Sequence, residues 1–152
     1  MILVTVGTTM PFDELLEEVD RLAGDGTLAG RVVCQSGQSA YRMAHAAEQF
    51  AGRPSIDDLI AESSLVITHG GATTIQLLIA RKPFVAFPNP RGAGDHQGSF
   101  LEQIAAVSAI SWSRDVKDLA RLYEERRALG PAELRTGFPR AAEIISRARG
   151  TW

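Results

Sequence analysis

Residues 65–76 read LVITHGGATTIQ, and they hold the residue types best suited to binding chemistry. An apolar run ends at Thr68. His69 follows, then Gly70 and Gly71, then Ala72, Thr73 and Thr74 opening a helical pattern. Helix beginnings carry unpaired N–H donors and the positive end of a dipole, so they receive small anions such as phosphate with few cations. His69 reads either as a hydrogen-bonded strand end or as a donor to a phosphate oxygen. Gly7, Thr8 and Thr9 repeat the arrangement before the first long helical pattern. For one such loop, turn and N-cap duty is a sufficient explanation. Two at one edge of a sheet favour phosphate. Two more loops share this character: QSGQS at 35–39 and PNPRGAGDHQ at 88–97. In the latter, Asp95, His96 and Gln97 begin a helical pattern. A carboxylate that accepts beside an amide that donates and accepts suits paired sugar hydroxyls, although Asp95 serves equally as an N-cap.

Several chemistries are disfavoured. The chain has no G-x-x-x-x-G-K-[ST] loop, and no G-x-G-x-x-G follows the first strand pattern. That argues against an ATPase and a nicotinamide enzyme. His45, His69 and His96 lack paired spacing and cysteine company, so no zinc site is expected. HGGATT contains no G-x-S-x-G elbow of a serine hydrolase.

The elements that must position these loops alternate along the chain. MILVTV, RVVCQ, LVIT and PFVAF are short apolar, β-branched or aromatic runs of the kind covered on both faces of a sheet, and SAISW is a shorter one. Between them lie helical patterns: FDELLEEVDRLA, SIDDLIAES with Ser55 and Asp58 spaced as a capping box, ATTIQLLIARK, HQGSFLEQIAAV and RDVKDLARLYEERRAL. A last helix is expected from about Ala132 to Arg149. Residues 40–53 read as helix by propensity or as a strand closing before Pro54. Alternation of this kind predicts an α/β fold with a mostly parallel sheet between helices. Ligands of such sheets bind beyond the carboxyl ends of the strands, where all four polar loops fall.

The 152 residues fit one domain. The charge balance of 16 basic against 18 acidic side chains gives −2, which argues against nucleic acid as the main partner. Residues 114–152 are mildly basic, with 9 basic and 6 acidic side chains, a weak hint of an acidic partner or membrane surface. Cys34, beside Val32 and Val33, is expected to be a small core hydrophobe in a reducing compartment. Met1 runs straight into ILVTV without a basic leader, and no apolar run approaches the ~20 residues of a membrane span. A soluble, cytoplasmic protein is expected, with any membrane contact peripheral and through a partner.

VTVGTT at the start, SSLVITHGGATT in the middle and GDHQ after KPFVAFPNP together resemble the glycosyltransferase family 28 C-terminal domain, the donor-binding half of GT-B glycosyltransferases. The resemblance covers roughly residues 1–112, and the chain is similar to the small soluble subunit of two-part enzymes that use UDP-sugars. It implies a Rossmann-like three-layer sandwich and makes 43–50 a strand. Gly7, Thr8 and Thr9 would line the diphosphate cleft. His69, the catalytic candidate, would hold the diphosphate with Gly70, Gly71, Thr73 and Thr74. Asp95, His96 and Gln97 would lie at the transferred sugar, and Gln35, Ser36 and Gly37 near the mouth of the nucleotide pocket. The resemblance implies inversion at the anomeric centre and neither cofactor nor metal. Relatives often carry Gly at the position of Thr73, a glutamate near Leu77 that accepts from ribose hydroxyls, and a second glutamine where this chain has Gly98. Here Gln76 is one residue off the glutamate, on a different part of the helix.

A GT-B enzyme closes two halves over one cleft, and this length holds one. The resemblance therefore implies a membrane-associated acceptor-binding subunit, a lipid-linked acceptor that receives a hexose or N-acetylhexosamine, and little transfer by this chain alone. Self-association of the isolated chain through the surface meant for the other half is a further expectation. The alternatives are a non-catalytic UDP-sugar or nucleotide-binding module, favoured by the missing glutamate, and an unrelated Rossmann-like domain with another phosphate ligand. His69→Ala is expected to weaken UDP binding, in a shift-based titration, more than Cys34→Ser does; equal losses would remove His69 from the site.

Overall fold

The computed structural model describes residues 1–133, the side chain of Ala93 excepted. Six strands form one sheet: β1 (Ile2–Thr5), β2 (Val32–Gln35), β3 (Glu48–Phe50), β4 (Leu65–His69), β5 (Phe84–Phe87) and β6 (Ser111–Trp112). Their spatial order is β3-β2-β1-β4-β5-β6 and every pairing is parallel. The helices are α1 (Asp13–Gly24), α2 (Asp57–Glu62), α3 (Thr73–Ile79), α4 (His96–Val107) and α5 (Leu119–Leu129). The strand order runs outward in both directions from the β1–β4 pair. The connections therefore part there, and a crevice opens beyond the carboxyl ends of those two strands.

The apolar runs divide by strand period. Ile2, Val4, Val32, Cys34, Ile67, Val85 and Phe87 face α1 and α5, where they meet Leu15, Leu16, Val19, Leu119 and Tyr123. Leu3, Val33, Val66, Phe84 and Ala86 face the opposite layer, built on Leu59 and Ile60 of α2, Leu77 of α3 and Leu101 of α4. Each such side chain, fully covered, stabilises the fold by roughly 1.5–3 kcal/mol. This is the three-layer α/β sandwich expected, with a wholly parallel sheet. Cys34 is buried and unpaired; burial pushes its thiol up to about 12, which leaves it an unreactive core residue.

The ambiguous segment 40–53 contributes only a three-residue edge strand, with Glu48 exposed and Gln49 and Phe50 half-buried. Its first part is neither helix nor strand. It is held to α1 by Asp20, a buried carboxylate that accepts from the Tyr41 hydroxyl at 2.8 Å, the Ala44 amide at 2.9 Å and the His45 amide at 2.8 Å. The capping box does not form. Ser55 Oγ accepts from the Asp57 amide at 3.2 Å, while Asp58 pairs with Arg53. α3 is shorter than its pattern, since Arg81 turns to a φ of +52° before Pro83. The helix expected from about Ala132 lies almost wholly outside the described residues. Among those described, no helix is long and apolar enough to cross a membrane.

Burial works to raise the Asp20 carboxyl, but the Ala44, Tyr41 and His45 bonds more than offset it and leave it below its ordinary 3.8. Its stabilisation is therefore present above the unfolded value and lost as pH falls through the folded one. Asp20→Ala should cost about 2–3 kcal/mol in urea unfolding at pH 7, and the difference from the parent should shrink as pH falls below the ordinary 3.8 of the carboxyl. A loss independent of pH would contradict this account.

Candidate functional site

A cleft of about 570 Å³ opens over the carboxyl ends of the sheet, lined by the loops after β1, β3 and β4 and by Gln35 at the tip of β2. Its floor is a hydrogen bond across two strands: Thr5 Oγ1 donates to Gln35 Oε1 at 2.6 Å, both residues buried. The parallel register pairs Thr5 with Gln35 directly, so the Thr5 hydroxyl and the Gln35 side-chain carbonyl satisfy one another at the strand tips.

His69 stands at the end of β4, beside this floor. Its imidazole is wedged between the backbones of two loops. A Cβ on Gly7 would lie 2.8 Å from its Nε2, and one on Gly71 would lie 2.5 Å from the same atom. Any side chain at either place would displace the ring, so the β1 and β4 loops close on the histidine only because both are glycine there. Gly7 also takes a φ of +78°, open to glycine at little cost. Burial drives the His69 pKa down to about 4, opposed in part by a hydrogen bond to the Thr5 backbone. Its Nδ1 lies 3.4 Å from Thr68 Oγ1. At neutral pH the ring is uncharged, able to donate one hydrogen bond and accept another but not to serve as a cation.

The cleft brings together Gly7, Thr8 and Thr9 from the β1 loop, Gln35, His69, then Gly71 and Thr73 at the start of α3, and Gln97. Gln97 has a fixed orientation. Its Oε1 accepts from the Asn89 amide at 2.8 Å, so only the donor end of its side chain is open to a ligand. Asn89 is itself buried. Its Nδ2 donates to the Pro11 carbonyl at 2.9 Å and its Oδ1 accepts from the Arg91 amide at 3.0 Å, tying the loop after β5 to the loop before α1.

Other candidates from the sequence stand behind the lining. Ser36 is buried and its amide donates to the Phe50 carbonyl at 2.8 Å. Gly37 packs on Gly7, where a Cβ would meet the Gly7 carbonyl oxygen. Gly70 backs onto α4, against Leu101 and Gln97. Thr74 is fully buried and its hydroxyl has no partner. Asp95 adopts a left-handed φ of +55° and turns to Arg114, whose Nη1 donates to it at 2.8 Å. That ion pair lies over Gly98, where a Cβ would fall 2.2 Å from Arg114 Nη1. His96 is exposed beside it.

The two helix beginnings differ from one another. α1 starts at Asp13, well beyond Thr9. The Phe12 amide at its entrance is satisfied by Ser39 Oγ at 2.9 Å, and Asp13 and Glu14 occupy its first turn. The N–H groups available on that side therefore belong to the Gly7–Thr9 loop. α3 does begin at the cleft, with a tight first turn in which the Thr74 amide donates to the Gly71 carbonyl at 3.0 Å.

One wall went unread in the sequence. Arg53, Pro54, Ser55, Ile56 and Asp57 line the cleft from the loop after β3. That strand is too short and polar to show a period, so nothing marked the loop as lying at a carboxyl end; its Gly52-to-Pro54 turn was the available signal. Leu77, at the position where relatives often carry a glutamate, lies in the core, whereas Gln76 lines the cleft with its Nε2 donating to Asp57. Among the described residues no group of three His, Cys, Asp or Glu is placed to hold a metal.

The model of the glycosyltransferase family 28 C-terminal domain matches residues 1–120. The chain belongs to this family. Among curated relatives, the UDP-N-acetylglucosamine--N-acetylmuramyl-(pentapeptide) pyrophosphoryl-undecaprenol N-acetylglucosamine transferase of Anaeromyxobacter dehalogenans strain 2CP-C is 31% identical over 109 residues, covering 62% of this chain and 28% of the relative. Its counterpart in Anaeromyxobacter sp. strain K is 30% identical over 109 residues, with the same coverage. The chain's match spans just over a quarter of the length of these relatives. The crystal structure of Acinetobacter baumannii MurG shares the fold, with a TM-score of 0.59 at 19% identity, over 96% of this chain and 45% of that one.

Because the folded His69 pKa lies below its ordinary 6.5, the unfolded chain takes up the proton first, and stability should decline as pH falls from about 6.5 towards 4. The His69 ring resonances, followed by NMR, should titrate near pH 4. A midpoint near 6.5 would show a solvated ring and contradict the wedged geometry.

Proposed function

We propose that this chain is the donor-binding part of a glycosyltransferase that moves a hexose or N-acetylhexosamine from a UDP-sugar to a lipid-linked acceptor. The observation that carries the reading is the cleft at the β1–β4 divergence, with His69 held between Gly7 and Gly71, in a chain of family 28. In this reading the Gly7–Thr9 amides and hydroxyls, the His69 ring, and Gly71 and Thr73 at the start of α3 receive the diphosphate. They stabilise the charge that grows on it as the sugar bond breaks. Gln97 donates to a hydroxyl of the sugar, and Gln76 with Asp57 lies where a nucleoside's hydroxyls would be met. Asp95 reaches the sugar only by leaving Arg114.

An acceptor hydroxyl attacks the anomeric carbon from the face opposite the departing UDP, so the anomeric centre inverts. The acceptor site and the base that takes the hydroxyl proton come from a second half. We assign that half to a membrane-associated partner, which holds this chain at the cytoplasmic membrane surface and excludes water when the cleft closes. The UDP-sugar is the substrate, and the reading calls on no cofactor and no metal. The single alternative that loss of a ribose-binding glutamate favoured, a degenerate nucleotide module, is weakened by Gln76, which stands in the cleft with an amide to offer.

NMR titration with UDP, UDP-N-acetylglucosamine, UDP-glucose, ATP and NAD tests the reading. The uridine ligands should shift the Gly7, Thr8, His69 and Thr73 signals in the 0.1–10 mM range, about −2.7 to −5.5 kcal/mol as expected of half a cleft, and ATP and NAD should not. Hexosyltransferase activity should emerge only when the partner-containing membrane fraction is added. Equal response to ATP, or shifts elsewhere on the surface, would overturn the assignment.

A further inference from the structure

The charge of the cleft raises a question that the proposed function leaves open. A nucleoside diphosphate brings two or more negative charges, yet the lining is almost wholly neutral. Among the described residues Arg53 is the one lysine or arginine that lines it, and Asp57 the one carboxylate. His69 adds no positive charge at neutral pH.

Arg53 stands close to the loop that would hold the diphosphate. A Cβ on the preceding Gly52 would lie 3.4 Å from Thr8 Cγ2 and 3.6 Å from Gln35 Nε2. The loop after β3 therefore abuts the Thr8 end of the cleft. The guanidinium is partly pre-set there. It lies over the Phe50 ring, 5.6 Å from its centroid, and its Nε donates to the Ser55 carbonyl at 2.8 Å. Those two contacts fix its plane. Its remaining bond, from Nη2 to Asp58 Oδ1, goes to a carboxylate that is 62% exposed. Water readily replaces such a partner, and an ion pair in that setting is worth little. Among the described residues the Nη1 donors have no hydrogen-bond partner. A planar fork with donors to spare matches phosphate oxygens, and its charge cannot be lost to deprotonation.

We infer that Arg53 is the diphosphate-binding cation of this cleft, held by Asp58 while the cleft is empty and transferred to the ligand's phosphates when it fills. This rests on the proposed function, which supplies the nucleoside diphosphate. Asp58 then acts as a competitor for the guanidinium and sets the affinity the empty cleft shows. No covalent step is involved. Gln76 donates through its amide to the neighbouring carboxylate, Asp57.

The test is calorimetric or NMR titration of the chain with uridine, UMP and UDP, each at low and at high salt. Arg53→Gln should weaken UDP binding about tenfold, weaken UMP less, and leave uridine unchanged. Asp58→Asn should tighten UDP severalfold, and the double variant should bind no better than Arg53→Gln alone. The UDP affinity of the parent should fall with salt more steeply than that of Arg53→Gln. Thermal melts of each variant separate binding from folding, and Asp58→Asn reads the same exchange without touching the guanidinium. Parent binding with no change in Arg53→Gln would overturn the inference while the functional reading stands. An equal loss for uridine would assign the guanidinium to the base instead and also overturn it. A parent chain that ignores UDP altogether would remove the functional reading, and this inference with it.

Discussion

The imidazole of His69 occupies space that a β-carbon at Gly7 or Gly71 would need, and the architecture of the cleft follows from that contact. The ring spans the gap between β1 and β4, the two central strands from which the chain diverges in opposite directions. It holds two loops apart at a set distance and presents their backbones to the cleft. Each loop is glycine at the point of contact because no other residue lets main chain come so near an aromatic ring. Packed between the two loops and only partly exposed, the ring stays neutral at pH 7. The histidine thus works as a spacer and as a directed hydrogen-bonding group, and it leaves positive charge to be found elsewhere.

The surrounding hydrogen bonds serve that arrangement. Ser39 closes the entrance of α1, so the loop before it does not slide onto the helix. Asn89 joins Pro11 to the loop after β5, and its backbone amide orients Gln97. Thr5 and Gln35 satisfy one another on the floor. Each bond is modest alone, about 0.5–1.5 kcal/mol. Their joint effect is that loops far apart in the chain meet with few rotatable side chains left to order. A cleft arranged in this way meets a ligand with little further loss of conformational freedom.

A mostly neutral lining has consequences for a charged ligand. Amides and hydroxyls stabilise a diphosphate without the strong, salt-sensitive attraction that a cluster of lysines would exert. That agrees with the overall charge of −2. The Arg91–Glu14 and Arg114–Asp95 pairs show the same economy: the arginines of the loops flanking the cleft are already matched with carboxylates.

The sequence by itself determined the alternation of helices with the strands β1, β2, β4 and β5, and it singled out the loops after those strands as candidates for chemistry. It could do so because those strands are covered on both faces, and MILVTV, RVVCQ and LVIT therefore show unbroken apolar character. The glycines and the histidine were visible because those residue types are costly or conspicuous at a strand end. Tertiary structure alone decided which residues meet. The edge strand β3 owes its place to pairing with β2 and to Asp20, not to any pattern of its own, so the wall from Arg53 to Asp57 could not be read in advance. The choice between Gln76 and Leu77 turned on about 100° of helix rotation. That angle is set by how α3 packs on the sheet, and local sequence does not encode it. Asp95 and Gln97, neighbours in one motif, part for the same reason: Arg114 comes from a distant segment to claim the one, and Asn89 claims the other.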